Sequence, residues 1–216
     1  ELGKDEYLEL KKYCLEKDIM FFATAFDFNS ADFLEELDMP AYKLASGDLK
    51  NIPLLKYIAK FNKPMFISTG GGTLDAVKEA YDAVMPINEQ LCIMQCTAGY
   101  PPVYEEMNVN VIETYRNTFK DIPIGFSSHD SGIAIDLVGY MKGACVIEKH
   151  FTLNRSMKGT DHAFSLEPQG LSKLIRDVKR SSIALGDGTK RKYPSEEKPL
   201  FKMGKKLVIS KDLKKG

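Results

Sequence analysis

The chain has 216 residues, 44% of them apolar, with thirty basic and thirty acidic side chains, which is apolar material enough for a substantial core and excludes a disordered polyelectrolyte. No apolar run approaches the roughly 20 residues that cross a bilayer, and the opening ELGKDEYLELKKYCLEK is a charged helix pattern unlike a secretion signal, so a cytoplasmic protein with no membrane partner is expected. Residues 190–216 carry ten Lys or Arg against three acids, and without aromatic interleaving or a nucleic-acid module they read as a solvated linker, with no nucleic-acid partner.

Short β-branched or aromatic runs alternate with amphipathic stretches along the chain. Strands are expected at 19–24 (IMFFAT), 41–45 (AYKLA), 64–69 (PMFIST), 91–96 (LCIMQC), 122–126 (IPIGF) and 144–149 (ACVIEK). Helices are expected near 30–37, 51–60, 73–84, 108–118, 132–141 and 168–185. Thr73 and Pro168 supply the usual punctuation at helix starts. The pattern predicts parallel strands joined by crossover helices. Cys14, Cys92, Cys96 and Cys145 lack the paired spacing of a zinc knuckle and read as reduced core residues.

Connections after the strands are polar and glycine-rich (SGD, STGGG, CTAGYPP, SSHDSG, KHFTLNRSMKGTDH), whereas those before them are short and plain. Reactive groups in parallel α/β folds sit at the carboxyl ends of the strands, so chemistry is expected on that rim. Neither GxGxxG nor GxxxxGK[ST] occurs, which argues against a nucleotide-binding doubly wound sheet. Polar residues spread over several strand ends favour a (β/α)8 TIM barrel. Six βα units are visible in the sequence where a closed barrel needs eight, so either two units precede Glu1, the preferred reading, or the sheet is open. The expected division is a partial barrel over 1–187, a linker over 188–204, and the beginning of a second domain over 205–216.

His129 and His150 close the last two strands, and neighbouring strands lie only about 4.8 Å apart. Two imidazoles without a nearby thiolate suit a divalent ion such as Mn²⁺ or Mg²⁺ with open positions. The alternative is a pair of histidines capping loops through hydrogen bonds, and both readings stand at this point. His162 is equally open between orienting a ligand and filling its loop. Lys43, with Ser46, Ser68 and Ser127 at successive strand ends, forms a kit for phosphate and carboxylate recognition. A lysine at the end of an apolar strand is costly to bury without an anion. Tyr100 is read as closing the pocket or packing as a plug.

The segments YKLASGD, ISTGGG, QCTAGYPP, IGFSSHDSGIAI and VIEKHFTLNRSMKGTDHAFSLEP, in that order, resemble the sialic acid synthase family, with its N-acetylneuraminate, legionaminic and pseudaminic acid synthases. The resemblance implies a TIM barrel followed by an antifreeze-like (SAF) domain, of which 205–216 would be the truncated start. It implies a transferase-type condensation of phosphoenolpyruvate with an N-acetylated hexose such as N-acetylmannosamine, giving a nine-carbon 2-keto sugar acid and phosphate. It also implies a divalent metal on His129 and His150, and phosphoenolpyruvate contacts from Thr24, Lys43, Ser46, Ser68 and Ser127. Asp48, Asp161, Tyr100 and Lys43 match residues around the sugar and the reaction centre. Asp48 stands where some members have glutamate, and Ala98 where some use a side-chain amide, which bears on the sugar more than on the reaction. The resemblance further implies a homodimer in the full-length protein, and a chain inactive alone because the family's first strands and the partner's small domain complete the site. Two other readings remain: a metal-dependent aldolase or 3-deoxy-ketoacid synthase on the same scaffold, and a non-catalytic sugar-binding component of surface polysaccharide biosynthesis.

Overall fold

A computed structural model of the protein describes residues 2–216. Its chain forms two compact units, divided between Val178 and Lys179, nine residues before the boundary expected from sequence.

The first unit is built on a parallel sheet of six strands: β1 (Ala23–Thr24), β2 (Tyr42–Leu44), β3 (Met65–Ser68), β4 (Leu91–Cys96), β5 (Ile124–Ser128) and β6 (Val146–Lys149). They lie in the order β1-β2-β3-β4-β5-β6. A doubly wound sheet reverses direction at a switch point; this one advances monotonically, as barrels do. It does not close, since among the described residues β1 and β6 each pair on one side only.

Alternation along the strands sorts side chains between two faces. Tyr42, Leu44, Met65, Ile67, Ile93 and Phe126 take the face covered by helices and form the core. The helices that pack there show why they form. In α3 (Ile52–Ala59) Asn51 accepts from Leu54 N–H, and Leu54, Leu55, Ile58 and Ala59 make the buried stripe. In α4 (Leu74–Val84) Thr73 caps the start, and Ala76, Val77, Ala80 and Val84 face inward. Each large core side chain buried this way contributes about 1.5–3 kcal/mol. Lys43, Ser68, Cys96 and Ser127, one step out of phase, take the opposite face.

The remaining helices are α1 (Lys4–Glu16), α2 (Phe28–Glu36), α5 (Tyr104–Met107), α6 (Val111–Thr118) and α7 (Ala134–Met141), then α8 (Pro168–Leu185) and α9 (Glu197–Met203). Strand and helix order agree with expectation, but several bounds differ. β1 is only two residues long, because an edge strand has one neighbour to pair with. β5 starts after Pro123, which cannot donate to a ladder, and continues through Ser127 and Ser128 because Glu148 and Lys149 of β6 lie in register with them. The short helix α5 was not expected. In the second unit the expected linker contains a 3-10 turn (Pro194–Glu196) and α9. Residues 205–216 form no strand, because a segment without a ladder partner has no place for its backbone bonds. Among the described residues no helix is long and apolar enough to cross a membrane.

Candidate active site

Both histidines follow directly on the last residues of their strands. Ser128 and Lys149 are register partners, so His129 and His150 emerge at the same height, and their ring centroids lie 5.0 Å apart. Tyr100 packs against them, 4.2 Å from the His129 ring and 5.9 Å from that of His150. Phe164 backs the group, 5.0 Å from His150 and buried.

His129 is 5% exposed, and its Nδ1 lies 3.2 Å from the carbonyl oxygen of Thr97. A carbonyl only accepts, so in this bond the ring donates from Nδ1 and keeps the lone pair on Nε2, as a metal-binding imidazole requires. Burial pushes its pKa below the usual imidazole range, against the opposing pull of that carbonyl, and favours the neutral ring. The donor set therefore suits a divalent cation held by two imidazoles, with other positions left to water or substrate. Among the described residues no group of three or more His, Cys, Asp or Glu gathers round a common point. Cys96 Sγ lies 3.8 Å from His129 Nδ1, but burial pushes this thiol up, so at neutral pH it is a thiol and a weak ligand.

The anionic cluster lies on the same face. Lys43 Nζ donates to Ser68 Oγ at 2.8 Å and to Leu44 O at 3.0 Å, and lies 3.5 Å from Glu148 Oε2. Ser127 donates to Glu148 Oε1 at 2.8 Å. The ion pair measures the curvature of the sheet. β2 and β6 are four strands apart, a separation of roughly 19 Å in a flat sheet with about 4.8 Å between strands. Extended Lys and Glu side chains do not span that gap, so the sheet curls until its concave face meets itself.

Ser46 opens a 3-10 turn (Ser46–Asp48) and accepts from Gly70 N–H at 2.9 Å. A Cβ at Gly70 would fall 2.8 Å from both Ser46 Oγ and Ala98 Cβ, so only glycine lets these two strand-end loops touch. Thr24 is the register partner of Lys43, joining the cluster by position and not by a hydrogen bond. Asp161 Oδ2 stands 3.7 Å from His150 Nδ1. The long loop after β6 delivers Asp161 and Phe164, because it is tied back at its base by Leu166 N–H to His150 O at 2.8 Å and Thr152 N–H to Leu166 O at 2.9 Å. Asp48 is not drawn into either cluster; it accepts from Asn51 Nδ2 at 3.1 Å. His162 fills the loop, its Nδ1 2.7 Å from Thr152 Oγ1.

Glu148 as the partner of Lys43, and Phe164 behind the rings, were not singled out from sequence. Glu148 was legible: Ser127-x-His129 and Glu148-x-His150 place each polar residue two positions before a histidine, hence on one face. Phe164 carries no local signal, since only the loop's return path brings it there.

The NeuB family matches residues 1–190, the segment that carries every element of this site. The chain belongs to the NeuB family. Among its relatives the N-acetylneuraminate-9-phosphate synthase of Homo sapiens is 42% identical over 216 residues, covering 100% of this chain and 60% of that protein. The N,N'-diacetyllegionaminic acid synthase of Campylobacter jejuni is 39% identical, covering 100% of this chain and 65% of that protein. In structure this NeuB chain is similar to the N-acetylneuraminic acid synthetase of Leptospira borgpetersenii, solved in complex with citrate, with a TM-score of 0.84 and 32% identity over 94% of this chain and 70% of that one. This chain thus spans less than two thirds of the length of the curated relatives named here.

Proposed function

We propose that the protein takes part in a sialic acid synthase-type condensation of phosphoenolpyruvate with an N-acetylated hexose, N-acetylmannosamine or a related sugar, to give a nine-carbon 2-keto sugar acid and phosphate. The observation that carries this reading is the convergence of two strand-end imidazoles and a lysine-centred anion cluster on one concave face. The synthase names of the relatives support it.

In this reading Lys43, Ser68 and Ser127 receive the anionic groups of phosphoenolpyruvate, displacing Glu148 from the donors it engages. Ser46 fixes the loop beside them, and Thr24 borders the same subsite. His129 and His150 would hold a Mn²⁺ or Mg²⁺ ion, which when bound supplies Lewis-acid polarisation of the sugar's aldehyde oxygen. The methylene carbon of phosphoenolpyruvate forms the new bond to the aldehyde carbon while the carbonyl electron pair passes to the aldehyde oxygen, which takes up a proton. Water then adds at the carbon bearing the phosphate and loses one proton, and the bond from that carbon to the phosphate oxygen breaks as the new hydroxyl gives up its second proton and becomes the ketone. Asp161, beside His150, and Glu148, once freed from Lys43, are placed to accept protons in these steps. Tyr100 covers the histidine pair, and Asp48, matched by the family resemblance to the residues around the sugar, would serve on that side of the site.

The test is phosphate release from phosphoenolpyruvate by the full-length protein with a panel of acceptor sugars and Mn²⁺ or Mg²⁺. Release that requires an N-acetylated hexose is expected. Release dependent on a non-acetylated phosphosugar, or no release with any sugar, overturns the reading.

A further inference from the structure

Residues one step out of phase with the site form a second cluster. Lys149 Nζ lies 2.6 Å from Asp130 Oδ1 and 3.1 Å from Asp136 Oδ2, and it donates to Ser128 Oγ at 2.9 Å. Ser128 in turn donates to Asp130. Side-chain exposure is 4% for Lys149, 3% for Asp130 and 0% for Asp136. Ser128 and Lys149 face away from Ser127 and Glu148, so the cluster lies behind the sheet, where Asp136 of α7 meets it.

None of the proposed chemistry uses these groups, and two carboxylates with one ammonium make an expensive way to fasten two strands that apolar side chains fasten elsewhere. Burial pushes Asp136 above its ordinary carboxylate range even with Lys149 beside it. What charged groups supply and apolar ones do not is direction and fixed length. The placement shows where that precision goes: Asp130 is peptide-bonded to His129, and Lys149 to His150. The 2.6 Å contact between them therefore joins the two backbone segments from which the imidazoles project, and Asp136 ties the joint to a helix.

We propose that Lys149, Asp130 and Asp136 form a positioning clamp that sets the spacing and aim of the His129 and His150 rings for a shared divalent cation. This rests on the reading of the two histidines as that cation's ligands. Partners bonded directly to metal-binding imidazoles change metal affinity by about 10–100-fold when removed, and a clamp acting through the backbone beside the rings is expected to act on the same scale.

Mn²⁺ alone is the probe, added to the full-length protein, with binding read from loss of the free-ion electron paramagnetic resonance signal and folding followed by urea midpoint. Asp136→Asn leaves Lys149 paired with Asp130, so the fold is retained; Mn²⁺ binding is expected to weaken about 10–100-fold with the midpoint unchanged or raised. Lys149→Met is expected to weaken binding at least as much. A merely structural cluster would move the midpoint and leave the affinity of the folded protein alone. His150→Ala separates the two claims. Mn²⁺ binding that is absent in the wild type, or survives in His150→Ala, overturns the reading of the histidines. Binding lost in His150→Ala but of wild-type strength in both folded Asp136→Asn and folded Lys149→Met overturns the clamp alone, and Asp130→Asn, which removes the carboxylate at 2.6 Å, decides if Lys149→Met does not fold.

Discussion

Two lysines stand on strands of the same sheet, and their surroundings have little in common. Lys43 looks into the concave face, bonded to a hydroxyl and a carbonyl, with its one carboxylate at 3.5 Å on a Glu148 side chain that is 41% exposed. Lys149 looks the other way, in contact with two carboxylates that water does not reach. The first arrangement is exchangeable, because an incoming anion can take the place of a half-exposed glutamate at small cost. The second is locked, because no solvent can compensate whichever partner leaves. Burial and the number of partners separate a receptor from a fastening where residue type and strand position do not.

Four measurements test this contrast. The largest effect is expected at the pair both lysines serve: His150→Ala should cut turnover of the full-length protein by about 10³-fold or more, the several kcal/mol of lost Lewis-acid assistance, with its urea midpoint unchanged. Lys149→Met comes next, since it leaves Asp130 and Asp136 buried without their counter-charge; a loss of about 3–5 kcal/mol is expected in equilibrium unfolding. Lys43→Met should do the reverse, holding stability within about 1 kcal/mol while raising the KM for phosphoenolpyruvate about 10–100-fold, the value of a hydrogen bond to a charged group. Equal stability losses in the two lysine variants would erase the distinction between them.

The smallest effect is in the pH dependence. Burial raises Asp136 above 3.8 in the folded state, so the folded protein binds this proton more tightly than the unfolded chain. This group's contribution to stability therefore falls as pH rises from 3.8 through the raised value, and does not return at neutral pH. Asp136→Asn should lack that slope. Its stability relative to wild type is expected to increase across the same window and then level off, as read from urea midpoints between about pH 3 and pH 7.

Much of the site was legible before any coordinates. Polar, glycine-rich loops follow the strands and plain ones precede them, which located the reactive rim. Lys43, Ser68 and Ser127 stand out in the sequence as an anion-binding set; in the structure Lys43 and Ser127 meet the Glu148 carboxylate, and Ser68 accepts from Lys43. The strand ends pair the two histidines, and the register brings their ring centroids to 5.0 Å. Asp48 shows the limit of matching by position, because its carboxylate serves Asn51. Phe164 and the Lys149 cluster escaped, the one because a long loop's path has no local signal, the other because a lysine and two aspartates scattered over twenty residues look like surface charge.

Alternation of period two along each strand, and the order of strands and helices, follow from side-chain chemistry that each residue carries with it, and so the parallel α/β class and the two faces were determined by the sequence alone. Curvature is different. It arises from the sum of strand twists over the whole sheet, and only the folded sheet brings Lys43 of the second strand against Glu148 of the sixth. Burial is likewise a property of the assembled layers, which is why the sequence names both lysines but only the tertiary structure makes one a receptor and the other a clamp.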